Sequence, residues 1–283
     1  MITILEAINL SAQYLSQKGI EESRTNAEML LASILGCKRL DLYLSFDKPL
    51  GEVEKEKYRE FIKRRGNFEP LQYIIGNVEF YGLKLKVNSS VLIPRPETEL
   101  LVENILNVLP KEKQLTILDI GCGSGNIAIA LAVNLPSAIL FCTDCNNNAL
   151  TISKENSENH FVSNKIKFIE HNILKEDLKK FPQFDLIVSN PPYVSKEDFS
   201  TLQREIRDYE PRSAVTDEKD GYTFYREIAA KSFSKLKDSG KLFFEIASGQ
   251  SEMIFQIMAE INYKNIRVTK DYQNIDRVIF GEI

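Results

Sequence analysis

The sequence predicts an α/β protein, in which a small N-terminal helical domain is joined by a β-hairpin to a doubly wound, mostly parallel sheet of seven strands. Three observations lead to this class. Apolar residues recur at helical spacing from Ile4 to Asn67, residues 72–93 alternate as strands do, and short β-branched runs alternate with helical stretches after Ile93. A chain of 283 residues, 43% hydrophobic, has room for one large domain and one small one. The expected domains are residues 1–75 (helical), 76–96 (hairpin) and 97–283 (sheet).

Three helices are predicted in the N-terminal domain. The first begins near Ile4, the second after Ser23, and the third runs from about Glu52 to Arg65. Gly36 lies where a helix C-cap belongs. The third helix also presents a basic face between residues 55 and 65, which either meets a partner or is simply solvated, as charged helix faces usually are. Four apolar side chains of this helix are expected to be buried: Val53, Tyr58, Phe61 and Ile62.

A hairpin and a stiff segment precede the predicted sheet. Residues 80–87 look like part of the hairpin. After the stiff Pro94-Arg95 step, Pro96 is well placed to open a helix whose first turn carries Glu97 and Glu99. Strands and helices then alternate. The strands are expected near residues 115–120, 138–143, 166–170, 184–189 and 241–246, with two closing strands near 266–268 and 278–280.

The turn Asn190-Pro191-Pro192-Tyr193 follows the apolar run 184–189, where a buried strand should stop. Two consecutive prolines fix φ and remove two backbone donors, so the chain leaves the sheet stiffly. The carbonyls of Asn190 and Pro191 are then expected to face the crevice beyond the strand ends, where open α/β sheets bind ligands. An Asn amide, an unpaired carbonyl and an aromatic ring on a rigid turn suit the gripping of a planar NH2 group. The alternative is an ordinary exit from strand to loop.

A glycine-rich loop follows the first predicted strand of the sheet. Its glycines allow a tight turn and a close backbone approach to a ligand, and a helix follows. The spacing is G-x-G-x-G, so a pyrophosphate is not specifically indicated. Asp144 ends the next strand, at about the twenty-residue separation at which an acid takes ribose hydroxyls. The pattern therefore predicts a site for a nucleoside-bearing cofactor. Its loop residues are Asp119, Gly121, Cys122, Gly123 and Gly125.

Composition narrows the possible functions. The net charge of −4 and the pI of about 5.5 argue mildly against a broad nucleic-acid surface. We find no apolar stretch long enough to span a bilayer and no targeting signal, so we expect a cytoplasmic protein without a membrane partner. Cys142 and Cys145 have C-x-x-C spacing, but no second ligand pair matches it. We therefore expect no metal and a structural role for this pair, with a redox role as the alternative.

A ribose-binding loop beside an amide-gripping turn resembles the S-adenosylmethionine-dependent amino-methyltransferases. More specifically, the chain resembles the HemK/PrmC family of protein glutamine N5-methyltransferases, which modify the Gly-Gly-Gln loop glutamine of peptide-chain release factors. The segment Ile93-Pro94-Arg95-Pro96-Glu97-Thr98-Glu99 is the most discriminating part of the match. The other matching segments are residues 69–76, 80–83, 91–92, 119–125, 190–193 and 210–212.

The resemblance implies a Rossmann-like methyltransferase domain, S-adenosyl-L-methionine as cofactor and class 1 release factors as protein substrates, with no stable nucleic-acid partner. It also implies that Asn172, where family members usually carry Asp, lies near the adenine, whose amino group an Asn can still bind. The implied catalytic residues are Asn190, Pro191, Pro192 and Tyr193. The implied cofactor-binding residues are Asp119, Gly121, Cys122, Gly123, Gly125, Asp144, Asn172 and Asn190. The implied substrate-binding residues are Asn190, Pro191, Tyr193, Arg95 and Glu97.

Three other functions remain open at this stage. A DNA adenine N6-methyltransferase also presents a conjugated NH2 to such a turn, but it needs base flipping and a basic surface that tracks DNA. A glutamine methyltransferase acting on a ribosomal protein is a second alternative, although its sequences resemble this chain less at residues 93–99. A non-catalytic module that binds translation factors is the third. The intact Asn190 and glycine loop argue against it.

Overall fold

The computed structural model describes residues 2–110 and 113–283. In that part of the chain the α-helices are α1 Ile4–Gln17, α2 Ser23–Leu35, α3 Glu52–Gly66, α4 Leu71–Ile75, α5 Pro96–Val108, α6 Asn126–Asn134, α7 Asn147–Asn159, α8 Lys196–Phe199, α9 Arg204–Tyr209, α10 Arg212–Val215, α11 Thr223–Phe233 and α12 Ser251–Glu260. The strands are β1 Asn77–Phe80, β2 Leu83–Lys86, β3 Thr116–Ile120, β4 Ile139–Asp144, β5 Ile166–Glu170, β6 Phe184–Ser189, β7 Leu236–Glu245, β8 Lys264–Lys270 and β9 Asp276–Glu282. Short 3-10 helices span Arg39–Leu44 and Ser163–Lys165.

The large sheet has seven strands in the order β5-β4-β3-β6-β7-β9-β8. Strands β3 to β7 pair in parallel, and β9 runs antiparallel to both β7 and β8. The predicted α/β class with a seven-stranded, mostly parallel sheet is therefore confirmed. The strand order reverses between β3 and β6, because β4 and β5 follow on one side of β3 and β6 and β7 lie on the other. Such a reversal places a crevice at the carboxyl ends of the strands beside it.

Both faces of the sheet are covered, which explains why its central strands read as continuous apolar runs. On β3, Ile117 packs into one core cluster while its neighbour Leu118 packs into the other. The first cluster joins the sheet to α5 and α6 and the second joins it to α11 and α12. Phe80 and Leu85 of the β1–β2 hairpin are buried in the first cluster.

The chain divides into two compact units. The first comprises the residues up to Asn77 together with Gln203–Tyr209, and the second comprises Val78–Leu202 and Glu210–Ile283. Buried Arg65 holds the first unit together, because its Nε donates to Asn26 Oδ1 at 2.7 Å and its Nη2 to Glu205 Oε1 at 2.9 Å. Segment 203–209 is therefore part of the helical unit, although it lies far along the chain.

Most predicted elements are present, with two corrections. Residues 72–75 were expected to be extended, but they form the short helix α4, which Pro70 precedes and Gly76 ends in the left-handed conformation at φ 83°. Val53 was expected to be buried and is 79% exposed. As expected, Pro96 begins α5 with Glu97 and Glu99 in its first turn, and Gly36 ends α2. No helix in the described part of the chain has the length and hydropathy of a membrane span.

Candidate functional site

A cavity of about 240 Å³ lies at the carboxyl ends of β3, β4 and β6. This is the edge of the sheet where the strand order reverses, as the pattern of strands predicts. Its lining includes seven residues that the sequence singles out: Gly121, Gly123, Asp144, Asn172, Asn190, Pro191 and Pro192. Its apolar lining includes Val91, Leu92, Ile120, Ile173, Leu174, Phe224 and Ile228.

The glycine loop is held by hydrogen bonds within the protein. The backbone N–H groups of Gly121 and Cys122 both donate to the Thr143 carbonyl, at 2.8 and 3.0 Å. The Gly123 N–H donates to Asp144 Oδ2 at 3.0 Å. Gly125 has φ 81°, and a Cβ there would lie 2.2 Å from Ser153 Oγ, so this position requires glycine. The loop therefore packs tightly on the end of β4.

Two acids flank the loop. Asp144 lines the cavity, and burial raises its pKa, although the backbone N–H groups of Asn146, Gly123 and Cys145 oppose that rise. Asp119 is fully buried beneath the loop, and burial raises its pKa to about 7. The Ala128 backbone amide is near enough to lower this pKa somewhat, yet neither carboxylate oxygen has a hydrogen bond of standard geometry in the described structure.

Of two other predicted cofactor residues, Asn172 lines the cavity and Cys122 does not, among the described residues. Asn172 lines the cavity, and its Oδ1 accepts the Leu174 N–H at 3.0 Å in a tight turn. One lone pair of that oxygen and the amide NH2 remain for a ligand. Cys122 is buried in the first core cluster and is not part of the cavity lining among the described residues. Cys122 contributes to the loop through its backbone N–H, which donates to the Thr143 carbonyl.

The Asn190 turn enters the cavity from the end of β6. Ser189 anchors the strand end by donating from Oγ to the Ile120 carbonyl at 2.7 Å. The Asn190 Nδ2 donates to Thr98 Oγ1 at 3.2 Å, which leaves its Oδ1 as the acceptor on the other side of the amide. Among the described residues, no hydrogen bond uses the Pro191 carbonyl. The turn thus carries two acceptors without protein partners beside the cavity.

Tyr193 anchors this turn to the core of the sheet unit. Its ring packs against the second core cluster, and burial raises its pKa well above the ordinary value. Its carbonyl accepts a hydrogen bond from Gln250 Nε2 at 3.0 Å. Gly221 approaches the same carbonyl so closely that a Cβ there would lie 2.6 Å from it. Within the described residues, Tyr193 is not part of the cavity lining, so its predicted contact with an acceptor amide stays a prediction.

Arg95 and Glu97 also lie outside the lining that the structure describes. The Arg95 guanidinium forms an ion pair with buried Glu210, whose Oε2 accepts the Ile93 N–H at 3.2 Å. Glu97 is exposed and close enough to Tyr193 to influence the pKa of its hydroxyl. Arg95 therefore fixes the segment before α5, and the predicted binding of substrate by both residues stays a prediction.

Two polar residues of the site were missed from the sequence. Thr98, in the first turn of α5, is 1% exposed and accepts from Asn190. Glu245, at the end of β7, is 2% exposed, and burial raises its pKa to about 7. Glu245 could have been identified from the sequence as an acid that directly follows the apolar run Leu242-Phe243-Phe244. That run forms the strand next to β6.

Comparison with known proteins identifies close relatives along the whole chain. Residues 6–76 match the family model for the PrmC N-terminal domain, and residues 96–208 match that for the methyltransferase small domain. The release factor glutamine methyltransferase of Geobacter sulfurreducens is 40% identical over 281 residues, covering 99% of this chain and 97% of the relative. The enzyme of the same name from Fusobacterium nucleatum subsp. nucleatum is 39% identical, covering 98% and 78%. The one from Bacillus subtilis is 34% identical, covering 99% and 97%.

Solved structures confirm the fold. A methyltransferase from Pyrococcus furiosus superposes with a TM-score of 0.54 at 15% identity, covering 71% of this chain and 89% of that one. The hMettl16 catalytic domain, solved in complex with a MAT2A 3'UTR hairpin, gives a TM-score of 0.55 at 16% identity, covering 81% of each chain. The sheet unit accordingly has the Rossmann-like architecture of methyltransferases.

Proposed function

This chain belongs to the family of release factor glutamine methyltransferases, and we propose that it methylates class 1 peptide-chain release factors with S-adenosyl-L-methionine. The acceptor is the side-chain amide nitrogen (N5) of the glutamine in their Gly-Gly-Gln motif. The observation that carries the proposal is the Asn190 turn, which holds an amide oxygen and an unpartnered Pro191 carbonyl beside the cavity.

The residues around the cavity fit this cofactor. The Asp144 carboxylate can accept ribose hydroxyls through lone pairs that its backbone partners leave open. Asn172 and the apolar side chains Ile173 and Phe224 provide a polar edge and apolar walls for an adenine. Among the residues that the structure describes, no cation is paired with buried Asp119, and a positively charged ligand nearby would lower its pKa again. When bound, S-adenosylmethionine supplies an electrophilic methyl group on a positively charged sulfur.

The turn solves a specific chemical difficulty. An amide nitrogen is a poor nucleophile because its lone pair is delocalised, and breaking that conjugation fully costs on the order of 18–20 kcal/mol. Asn190 Oδ1 and the Pro191 carbonyl can accept the two amide hydrogens and bend the NH2 partly out of plane. Its lone pair then points toward the methyl group. Such orientation accounts for roughly 7–11 kcal/mol of a barrier in favourable cases.

The reaction requires no strong base in the protein. Methylation leaves the acceptor nitrogen with a positive charge and two protons, one of which is then acidic enough to leave to water. The chain has only two histidines. Of these, His171 lines the cavity, and burial lowers its pKa. We therefore assign catalysis to orientation rather than to general-base chemistry.

We propose that residues 1–75 recognise the protein substrate. They contribute no residue to the described cavity, which leaves recognition as a role for this region. The 3-10 helix Arg39–Leu44 exposes Leu40, Tyr43 and Leu44, the last to 85%. Exposed apolar side chains that lie close together are typical of protein-binding surfaces. A release factor substrate also places the enzyme in the cytoplasm, where translation terminates, and the net charge of −4 favours a protein over DNA as its partner.

One experiment tests the proposed function. The enzyme is incubated with methyl-labelled S-adenosylmethionine and a purified class 1 release factor, and the methyl group is located by mass spectrometry. We expect it on the Gly-Gly-Gln glutamine. Asn190→Ala should lower turnover about a hundred- to thousandfold, the usual loss for one preorganised polar contact. Asn190→Asp keeps an acceptor oxygen and should be impaired but measurable.

The control for these variants is cofactor affinity measured by calorimetry. It should change little in Asn190→Ala, because the contact to the acceptor matters most in the transition state. Wild-type turnover in Asn190→Ala at saturating cofactor and release factor would refute the role of the turn. A methyl group found on another residue would refute the proposed substrate.

A further inference from the structure

Two buried polar residues, Thr98 and Glu245, lie next to Asn190 but are not part of the described cavity lining. Asn190 Nδ2 donates to Thr98 Oγ1 at 3.2 Å. Glu245 lies next to both groups: Thr98 and Asn190 are near enough to lower its pKa, although its Oε2 has no hydrogen bond of standard geometry in the described structure. Thr98 and Glu245 are almost completely shielded from solvent.

The sheet brings these residues together. Ser189 of β6 pairs with Phe244 of β7, so Asn190 and Glu245 are the next residues at the same edge of the sheet. Thr98 reaches this edge from the first turn of α5. The three residues are far apart in sequence, and the proposed reaction uses only Asn190.

We infer that Thr98 and Glu245 are positioning residues, which hold the Asn190 amide with its oxygen toward the acceptor glutamine; this rests on the proposed function. A primary amide has one face that accepts and one that donates. Rotated by half a turn, Asn190 would direct its NH2 at the NH2 of the substrate, and donor would face donor. A buried hydroxyl that accepts from Nδ2 favours the productive orientation, and the neighbouring Glu245 carboxylate can accept a hydrogen bond from that hydroxyl.

The ionic state of Glu245 then matters, because the carboxylate accepts only hydrogen bonds, whereas the carboxylic acid also has a proton to donate. Burial raises the pKa of Glu245 to about 7, Thr98 lowers it, Glu97 raises it, and Arg277 and Asn190 lower it. Tyr193, whose hydroxyl carries a burial-raised pKa, faces the same group from the turn. Turnover at saturating cofactor is therefore expected to rise with pH through a limb near 7.

The test compares four variants in the labelled-methyl assay with a class 1 release factor. Thr98→Val removes the hydroxyl at nearly constant volume, and Thr98→Ser restores it. Glu245→Gln removes the charge. Tyr263→Phe is the matched control, because it deletes another buried hydroxyl hydrogen bond, from Tyr263 Oη to the Ala229 carbonyl, away from the cavity.

We expect Thr98→Val to lower kcat at least tenfold while the KM for release factor and the Kd for cofactor stay within twofold. Thr98→Ser should recover most of that loss, and Glu245→Gln should lose the pH limb. Tyr263→Phe should lower the thermal midpoint without lowering kcat. Wild-type kcat in both Thr98→Val and Glu245→Gln, alongside an inactive Asn190→Ala, would overturn the inference and leave the proposed function intact. An active Asn190→Ala would instead refute the proposed function. If Thr98→Val does not fold, the pH profile of Glu245→Gln decides.

Discussion

Replacing Glu245 by Gln removes a buried carboxyl group, and we expect the change to alter how the free energy of unfolding depends on pH. Burial raises the pKa of Glu245 from an ordinary value of 4.5 to about 7. Between these two values the folded protein retains a proton that the unfolded chain has released. The native state is therefore favoured at low pH, and the contribution is lost as pH rises through the folded pKa.

The size of the effect follows from the shift in pKa. Each unit corresponds to about 1.36 kcal/mol, so a shift of about 2.5 units is worth on the order of 3 kcal/mol over the whole window. Of this, roughly 2.5 kcal/mol falls between pH 5 and pH 8. Buried Asp119 titrates in the same range, but it is present in both proteins, so its contribution cancels in the difference between wild type and variant.

The assay is urea unfolding of wild type and Glu245→Gln at several values from pH 5 to pH 8. The variant should gain roughly 2.5 kcal/mol relative to wild type across that range, whatever its offset at pH 5. Tyr263→Phe should differ from wild type by a constant amount, because no carboxyl group changes. A difference for Glu245→Gln that stays constant within about 0.5 kcal/mol would refute the argument from burial.

Three further predictions concern other parts of the molecule. Asp144→Ala should weaken cofactor binding at least about tenfold, because charge-assisted hydrogen bonds are worth about 1.5–3 kcal/mol; unchanged affinity by calorimetry would exclude Asp144 from the ribose site. Gly125→Ala should lower the free energy of unfolding by about 2 kcal/mol or more, from strain at positive φ and a clash with Ser153. Gly19→Ala has positive φ in open space and should show the smaller loss from strain alone in urea unfolding. Leu44→Ser should raise the KM for release factor several-fold with cofactor Kd unchanged, and an unchanged KM would remove Leu44 from the recognition surface.

Short stretches of sequence were sufficient to predict those parts of the site that lie on a single turn. The double proline after β6 predicted the turn that presents Asn190, and the acid at the end of β4 predicted the Asp144 position at the cavity. In each case the residue type, the strand end and the turn are contiguous in the chain. The rule that ligands bind at the carboxyl ends of parallel strands then placed them at one edge.

Residues whose neighbours come from distant parts of the chain were not predictable in this way. Glu245 lies beside Asn190 only because β7 pairs with β6 in one register, and Thr98 reaches Asn190 from α5, which is far away in the sequence. The sequence of α4 alternates as a strand does, and only its caps, Pro70 and Gly76, indicate a single helical turn. Val53 has the right spacing for a buried position, but its side chain lies on the solvent side near the start of α3.

The N–H groups of the glycine loop already have hydrogen-bond partners within the protein, and this affects which nucleotides the loop can bind. The N–H groups of Gly121, Cys122 and Gly123 all donate to the end of β4, so they are not available to a phosphate. Asp144 adds a carboxylate beside the same loop. ATP and the dinucleotide coenzymes carry the same adenosine but bring phosphate charges, which would meet the Asp144 carboxylate and find these three N–H groups already used. For the proposed cofactor, the loop would therefore favour a positively charged adenosine derivative over the anionic ones by charge.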